Sequence, residues 1–137
     1  MRSGIGQTPQ LTRCLQLNAL ALAFSLAHAV ADYGVIFATT DFNTWGVAAY
    51  LGVASAVYGW WGWSMARAAR GSRPALSSLL VLCGFWAVAH GASFVFTPLT
   101  EYAADIIHFG SLIFGVWAAY ATWRALRGSR TALVPAR

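Results

Sequence analysis

The amino-acid sequence predicts an all-α integral membrane protein: a four-transmembrane-helix up-down bundle built from a tandemly duplicated helical hairpin. Hydrophobic residues make up 58 % of the 137 residues and charged residues only 9 %, whereas a soluble domain is about a quarter charged. The apolar residues are gathered into four stretches, and an apolar helix of roughly 20 residues crosses a bilayer. The composition therefore excludes a soluble enzyme and a disordered tail.

The four predicted spans are separated by short connections, so neighbouring helices are expected to run antiparallel. They cover about residues 15–38, 45–66, 75–97 and 102–123. The third ends at Pro98, a residue that disfavours continued helix. The small residues around Ala29 have the pattern of a signal-peptide cleavage site. However, the apolar run continues for about nine residues beyond Ala29, and we expect an uncleaved span.

The charged residues predict the orientation of the helices. All nine arginines lie before the first span, between the second and third, or after the fourth. The acidic residues lie in or beside the two other loops: Asp32, Asp41, Glu101 and Asp105. By the positive-inside rule, both termini are therefore cytoplasmic. The use of Arg without any Lys favours a bacterial protein, and thus the inner membrane.

The basic charge is expected to meet lipid and not nucleic acid, because it lies at the ends of membrane spans. The arginines assigned to lipid head groups are Arg67, Arg70, Arg73, Arg124, Arg127 and Arg130. The motif Arg-Gly-Ser-Arg occurs twice among them. We interpret both copies as helix ends, with Gly71 and Gly128 in left-handed caps.

The two halves of the chain are similar, with repeat units of about residues 15–73 and 76–130. Residues 60–73 and 117–130 match at seven of fourteen positions, and His28 corresponds to His90 at a slightly larger offset. We interpret the match as a helical hairpin repeated about an axis along the membrane normal. The alternative is that shared membrane-helix composition and a common Arg-rich end produce it.

Each predicted helix also carries a small residue at every fourth position, a pattern that lets helices approach closely in lipid. The four ridges are Ala19, Ala23, Ala27 and Ala31; Ala48, Gly52 and Ala56; Cys83, Ala87 and Gly91; and Ser111, Gly115 and Ala119. They predict close packing within the bundle. Part of this surface is also suited to another membrane subunit or a second copy of the chain.

Five ionisable residues fall within the spans, where charge is costly and a functional role is the default hypothesis. All lie in the outer half of the predicted bilayer: His28, Asp32, His90, Asp105 and His108. His28 and Asp32 are four residues apart, and Asp105 and His108 are three apart. Each pair therefore shares one face of its helix.

Three interpretations of these residues are open. In the first, His28 and His90 are the axial ligands of a b-type haem, and His108 lies beside it. In the second, the three histidines bind a metal ion such as Cu or Zn, with Asp32 or Asp105 as an oxygen ligand or as the acceptor of a ring N–H. In the third, the histidines are structural and form hydrogen bonds between helices.

No hydrolase, kinase or dehydrogenase motif is present, and little of the chain lies outside the predicted spans, so we expect no enzymatic activity. Cys14 and Cys83 lie in apolar stretches and are expected to be buried thiols. The first functional hypothesis is an accessory subunit of a larger respiratory or photosynthetic membrane complex, with the haem serving electron transfer. The alternative is a small carrier or metal-handling protein with a His/Asp site on the outer side.

Overall fold

A computed structural model of the protein describes residues 8–39, 44–96 and 106–131, with side chains over residues 8–31, 46–92 and 106–128. This part of the chain is all-helical. Its helices are α1 (Pro9–Thr39), α2 (Thr44–Ala69), α3 (Arg73–Phe96) and α4 (Ile106–Thr131). Each helix contains most of one predicted span. However, α1 begins before residue 15 and α4 continues beyond residue 123.

Three of these helices, α1, α3 and α4, are long and apolar enough to cross a membrane, which indicates a membrane protein. The helix α2, which contains the predicted span 45–66, is not among the candidate spans within the described residues. It holds four Trp, two Tyr and four Gly in place of aliphatic residues. Leu, Ile and Val favour the hydrocarbon core most strongly, so this exchange lowers the apolar character of α2.

The turn between α2 and α3 depends on Gly71. This residue has φ of 81°, a left-handed conformation that glycine adopts without a steric penalty. The amide of Gly71 donates to the carbonyl of Ala68 at 2.9 Å, and the amide of Ser72 donates to the carbonyl of Arg67 at 3.1 Å. These two bonds are the Schellman pattern of a helix end. The predicted cap at Gly71 is confirmed.

The second predicted cap, at Gly128, is wrong. Gly128 lies inside α4, which continues to Thr131. The two Arg-Gly-Ser-Arg copies differ in the residue that follows them. The first is followed by Pro74, which has no N–H to continue the hydrogen bonding of α2, whereas the second is followed by Thr131, which has one.

The helices pack as a ring in chain order. The helix α1 packs on α4 and α2, and α3 packs on α4 and α2, while α1 and α3 meet across the bundle at few positions. The buried face of α1 shows why this helix lies against the others, since its residues are spaced three and four apart as on one helix face. They are Leu11, Cys14, Asn18, Ala21 and Ser25.

The small-residue ridges lie in helix contacts on two helices and face outward on the other two. A Cβ added at Gly115 would lie 3.6 Å from the backbone of Ala87, so α3 and α4 approach closely, as predicted. On α1 and α2 the ridge residues are exposed, and a Cβ added at Gly52 would meet nothing within 4 Å. The prediction of packing within the bundle is therefore confirmed for α3 and α4 and wrong for α1 and α2.

A fully buried amide, Asn18, joins the four helices. Its Nδ2 donates to the Cys14 carbonyl at 2.9 Å and to the Thr122 hydroxyl at 3.0 Å. Its Oδ1 accepts from the Trp61 indole at 3.1 Å and from the Cys83 thiol at 3.0 Å. An Asn amide offers two donor protons and two acceptor lone pairs, so its hydrogen-bonding capacity is fully used. The bonds fix the position of α1 relative to α2, α3 and α4.

Candidate metal centre

Three histidines from three helices meet near one end of the bundle: His28 on α1, His90 on α3 and His108 on α4. With a rise of about 1.5 Å per residue, His90 lies about 25 Å along α3 from its first residue. His108 lies in the first turn of α4. The cluster is thus far from the turn at Gly71, at the end of the bundle that the positive-inside rule predicts to face outward.

The three imidazole rings are in contact with one another. The ring centroids of His28 and His108 are 3.9 Å apart, those of His28 and His90 4.9 Å, and those of His90 and His108 5.7 Å, all in edge-to-face arrangements. Each ring has one nitrogen that lies within 4.8 Å of a nitrogen in each of the other two rings. His90 is 6 % exposed, and the other two side chains are half-buried. The nitrogens therefore converge in a largely enclosed space.

An aromatic layer supports the cluster on the side of the bundle interior. The Trp86 ring centroid lies 5.1 Å from that of His90 and 6.1 Å from that of Tyr58. The Tyr58 hydroxyl donates to the backbone carbonyl of Ser25 at 3.0 Å, and Ser25 lies one turn before His28 on α1. These contacts join α1, α2 and α3 next to the histidines and restrict the positions that the imidazoles can take.

A glycine allows α4 to approach α1 beside the cluster. A Cβ added at Gly110 would overlap the ring of Phe24, which is itself stacked on Phe114 with 4.9 Å between centroids. Gly110 follows His108 by two residues. The close approach at this position brings His108 within contact distance of His28.

The cluster has the dimensions of a three-imidazole metal site. Zinc–nitrogen bonds are about 2.0–2.1 Å long, so three imidazole nitrogens around one ion lie roughly 3.4 Å apart. The three candidate nitrogens lie within 4.8 Å of one another, so their separations exceed this spacing by at most about 1.4 Å. Three protein ligands leave a fourth position for water or another ligand, as in catalytic zinc sites.

The two predicted carboxylate ligands lie outside what the structure describes. Asp32 belongs to α1, one turn beyond His28, but its side chain is outside the described side chains, and Asp105 is outside the described residues. The predicted buried thiols are confirmed, since Cys14 and Cys83 are free and fully buried. Their partners are in the Asn18 network described above.

The arginines assigned to lipid include two that stack on tryptophans. The Arg67 guanidinium lies 5.6 Å from the centroid of Trp63, and the Arg127 guanidinium lies 4.1 Å from that of Trp123. Such cation–π contacts hold the guanidinium over a ring face. The side chain of Arg130 lies outside the described side chains.

Two residues with structural roles were not predicted from the sequence: Asn18, which joins the four helices, and Trp86, which lies beside His90. The signal for Asn18 is a polar stripe of Cys14, Asn18 and Ser25, which share one face of α1. This signal is missed when only ionisable residues are considered within a span. The sequence contains seven Trp residues, and nothing in their spacing distinguishes Trp86. Trp86 is four residues before His90 and therefore shares the face of α3 on which His90 lies.

Comparison of the chain with protein-family models, with curated protein sequences and with solved structures finds no match.

Proposed function

We propose that this membrane protein binds one transition-metal ion between His28, His90 and His108 and acts as a metal-handling protein. The observation that carries the proposal is the convergence of the three side chains, whose candidate ligand nitrogens lie within 4.8 Å of one another. The chain has three histidines in all, and every one of them is in this cluster. A shared ligand explains why three helices each bring their one histidine to the same point.

Zinc and copper ions suit such a site best. Imidazole favours zinc, copper, iron and nickel, whereas calcium and magnesium prefer oxygen ligands. Three neutral imidazoles leave the charge of the ion uncompensated, which favours an anionic fourth ligand in a membrane environment. Hydroxide or the carboxylate of Asp32, one turn beyond His28, meets this requirement. A site at the outer end of the bundle suits capture of an ion from the outer side.

A b-type haem between His28 and His90 fits the contacts less well than a single ion. Two imidazoles on opposite sides of a haem iron have their nitrogens about 4 Å apart, and their ring centroids about 6 Å apart, with the macrocycle filling the plane between them. The centroids of His28 and His90 are 4.9 Å apart, and the His108 ring is 3.9 Å from that of His28. Haem binding would require these helices to separate.

A role as an accessory subunit of a larger membrane complex is the second candidate function. It is favoured by the exposed small-residue ridges on α1 and α2, because such ridges allow close helix contact in lipid. Ala23 and Gly52 are examples. A metal site and a partner helix are compatible, since the ridge alanines of α1 are exposed, whereas the ring of His28 contacts those of His90 and His108 inside the bundle.

The proposal is tested by metal titration of the purified full-length chain. Protein in detergent is stripped with a chelator, titrated with Zn²⁺, and then washed and measured for bound zinc by elemental analysis. We expect one zinc per chain. Because loss of an outer-shell partner alone weakens metal binding by about 10–100-fold, we expect His28→Ala, His90→Ala and His108→Ala each to weaken it by about 100-fold or more.

Cys83→Ser is the matched control, because it changes another metal-ligating residue type that is buried on α3, two turns from His90. We expect zinc binding within error of the wild type for this variant, and helix content by circular dichroism identifies any variant that fails to fold. Unchanged zinc binding in the folded histidine variants would contradict the proposal. A visible absorption spectrum after reduction distinguishes the haem hypothesis, which requires a Soret band that is lost in His90→Ala.

A further inference from the structure

A second candidate site lies at the opposite end of the bundle, in a groove between α1 and α4. The groove has a volume of about 450 Å³ and is lined by Gln10, Arg13, Leu17, Trp117, Tyr120, Ala121 and Arg124. A neighbouring depression of about 390 Å³ shares Gln10, Tyr120 and Arg124 and adds Arg127. These volumes are in the range of small-molecule sites, about 300–1,000 Å³. Each helix therefore contributes one arginine to the groove, Arg13 from α1 and Arg124 from α4, next to apolar or aromatic side chains.

The positive charge of this groove has no acidic counterpart nearby on its own helices. Along α1 the acidic residue nearest to Arg13 in sequence is Asp32, nineteen residues away, which is about 28 Å along the helix. The acidic residue nearest to Arg124 in sequence is Asp105, also nineteen residues away. Both arginines are exposed. The two guanidinium groups are therefore available to an anion from outside the chain.

We propose that this groove binds an anionic phospholipid, with the phosphate held by Arg13 and Arg124 and an acyl chain lying along Leu17 and Trp117. Arginine binds phosphate through two parallel N–H donors, which a point charge cannot do. Basic pockets between membrane helices on the cytoplasmic side are suited to anionic head groups. The positive-inside rule predicts that this end of the bundle faces the cytoplasm, where such lipids carry the surface charge.

The aromatic side chains of the groove favour a lipid over a soluble phosphate. Trp117 and Tyr120 are each 57 % exposed, and both line the groove beside the arginines. Aromatic side chains of this kind prefer the level of lipid head groups. Arg127, held 4.1 Å from the Trp123 ring centroid, extends the basic surface into the second depression. The site is independent of the metal proposal, because it uses other residues at the other end of the bundle.

Native mass spectrometry of the delipidated full-length protein in detergent tests the assignment. The probes are phosphatidylglycerol, phosphatidylcholine and inorganic phosphate. We expect the protein to retain phosphatidylglycerol at least tenfold more tightly than phosphatidylcholine, and we expect millimolar inorganic phosphate not to displace it. The double variant Arg13→Gln/Arg124→Gln is expected to lose the preference for phosphatidylglycerol.

The matched control is Arg67→Gln/Arg70→Gln, which removes the same charge at the same end of the bundle, near the α2–α3 turn. These two arginines are expected to meet bulk lipid head groups, but neither lines the groove. We expect this control to retain phosphatidylglycerol within twofold of the wild type. An equal loss in both double variants would overturn the proposal, because it would indicate general attraction by net charge. Displacement by inorganic phosphate, or equal retention of both lipids, would overturn it as well. All four changed side chains are exposed, so folding is not at risk.

Discussion

Replacement of Asn18 by Leu is expected to lower the free energy of unfolding by about 2 kcal/mol. Three of the hydrogen bonds of Asn18 join different helices: to the Thr122 hydroxyl at 3.0 Å, from the Trp61 indole at 3.1 Å and from the Cys83 thiol at 3.0 Å. Interhelical hydrogen bonds in membrane proteins contribute about 0.6 kcal/mol on average, with a maximum near 1.7. Three average bonds therefore give about 2 kcal/mol, which is roughly a 30-fold change in the unfolding equilibrium.

Leucine is chosen because its side chain has the same number and branching of heavy atoms as that of asparagine, so it leaves no cavity while removing the hydrogen-bonding groups. The change also leaves the Trp61 N–H without its acceptor, and an unsatisfied buried donor costs about 1–3 kcal/mol. The value of about 2 kcal/mol is therefore nearer the lower end of what the structure supports. Thr122 retains its bond to the carbonyl of Ala118 at 2.7 Å, so its hydroxyl donor stays satisfied.

The assay is reversible unfolding in mixed micelles, followed by circular dichroism as the share of denaturing detergent rises. Ser25→Ala is the matched control. Ser25 is also fully buried on α1, but its hydroxyl donates to the Ala21 carbonyl of its own helix at 2.7 Å. We expect Ser25→Ala to change the free energy of unfolding by less than about 0.5 kcal/mol. Equal stability of Asn18→Leu and wild type, or an equal cost for Ser25→Ala, would refute the reasoning.

Two further predictions concern the histidine end of the bundle. Gly110→Ala places a methyl group against the ring of Phe24 and is expected to lower the free energy of unfolding by about 1–3 kcal/mol in the same assay. The control is Gly52→Ala, where the new methyl group meets nothing within 4 Å and stability should be unchanged or slightly higher. Equal effects of the two variants would contradict the close approach of α4 and α1. Zn²⁺ at about 100 times its Kd should stabilise the folded protein by about 2.7 kcal/mol, measured as a rise in Tm. This rise in Tm should be absent in His90→Ala. It should also become smaller as the pH is lowered from about 8 to about 5, because protons compete with the metal for imidazole nitrogens. A rise in Tm that does not depend on pH would contradict imidazole ligation.

The positions of the helices, and the depth of the histidines along them, could be predicted from the sequence. Both depend only on position along the chain. Apolar length predicts where a membrane helix lies, and counting from the helix ends predicts that His28 and His90 lie at similar depth. Which residues share a face of one helix is equally regular. The predicted spans and the histidine candidates needed no knowledge of how the helices pack.

Contacts between helices were harder to predict, because they depend on the rotation of each helix about its axis. The small-residue pattern is present on all four helices, but the ridge containing Ala23 is exposed while that containing Gly115 is in contact with α3. The buried face of α1 instead follows the polar stripe through Cys14 and Asn18. In lipid, an apolar face gains little from burial against another helix, so polar groups that need partners decide the rotation.

The bundle contains two polar layers, the hydrogen-bond network of Asn18 and the three-histidine cluster, and they differ in chemistry. This difference supports a structural role for the first layer and metal binding for the second. Asn18 uses both of its donors and both of its acceptors within the protein, so it has nothing left for a ligand and serves to fix four helices. A neutral imidazole, in contrast, carries one nitrogen lone pair that a cation takes up directly, and three of them meet at one end of the bundle. It follows that Asn18→Leu should lower stability without changing the number of zinc ions bound, whereas His90→Ala should abolish the zinc-dependent rise in Tm. If one variant produced both effects, the two layers would act as a single unit, and the histidines would be part of the structural core.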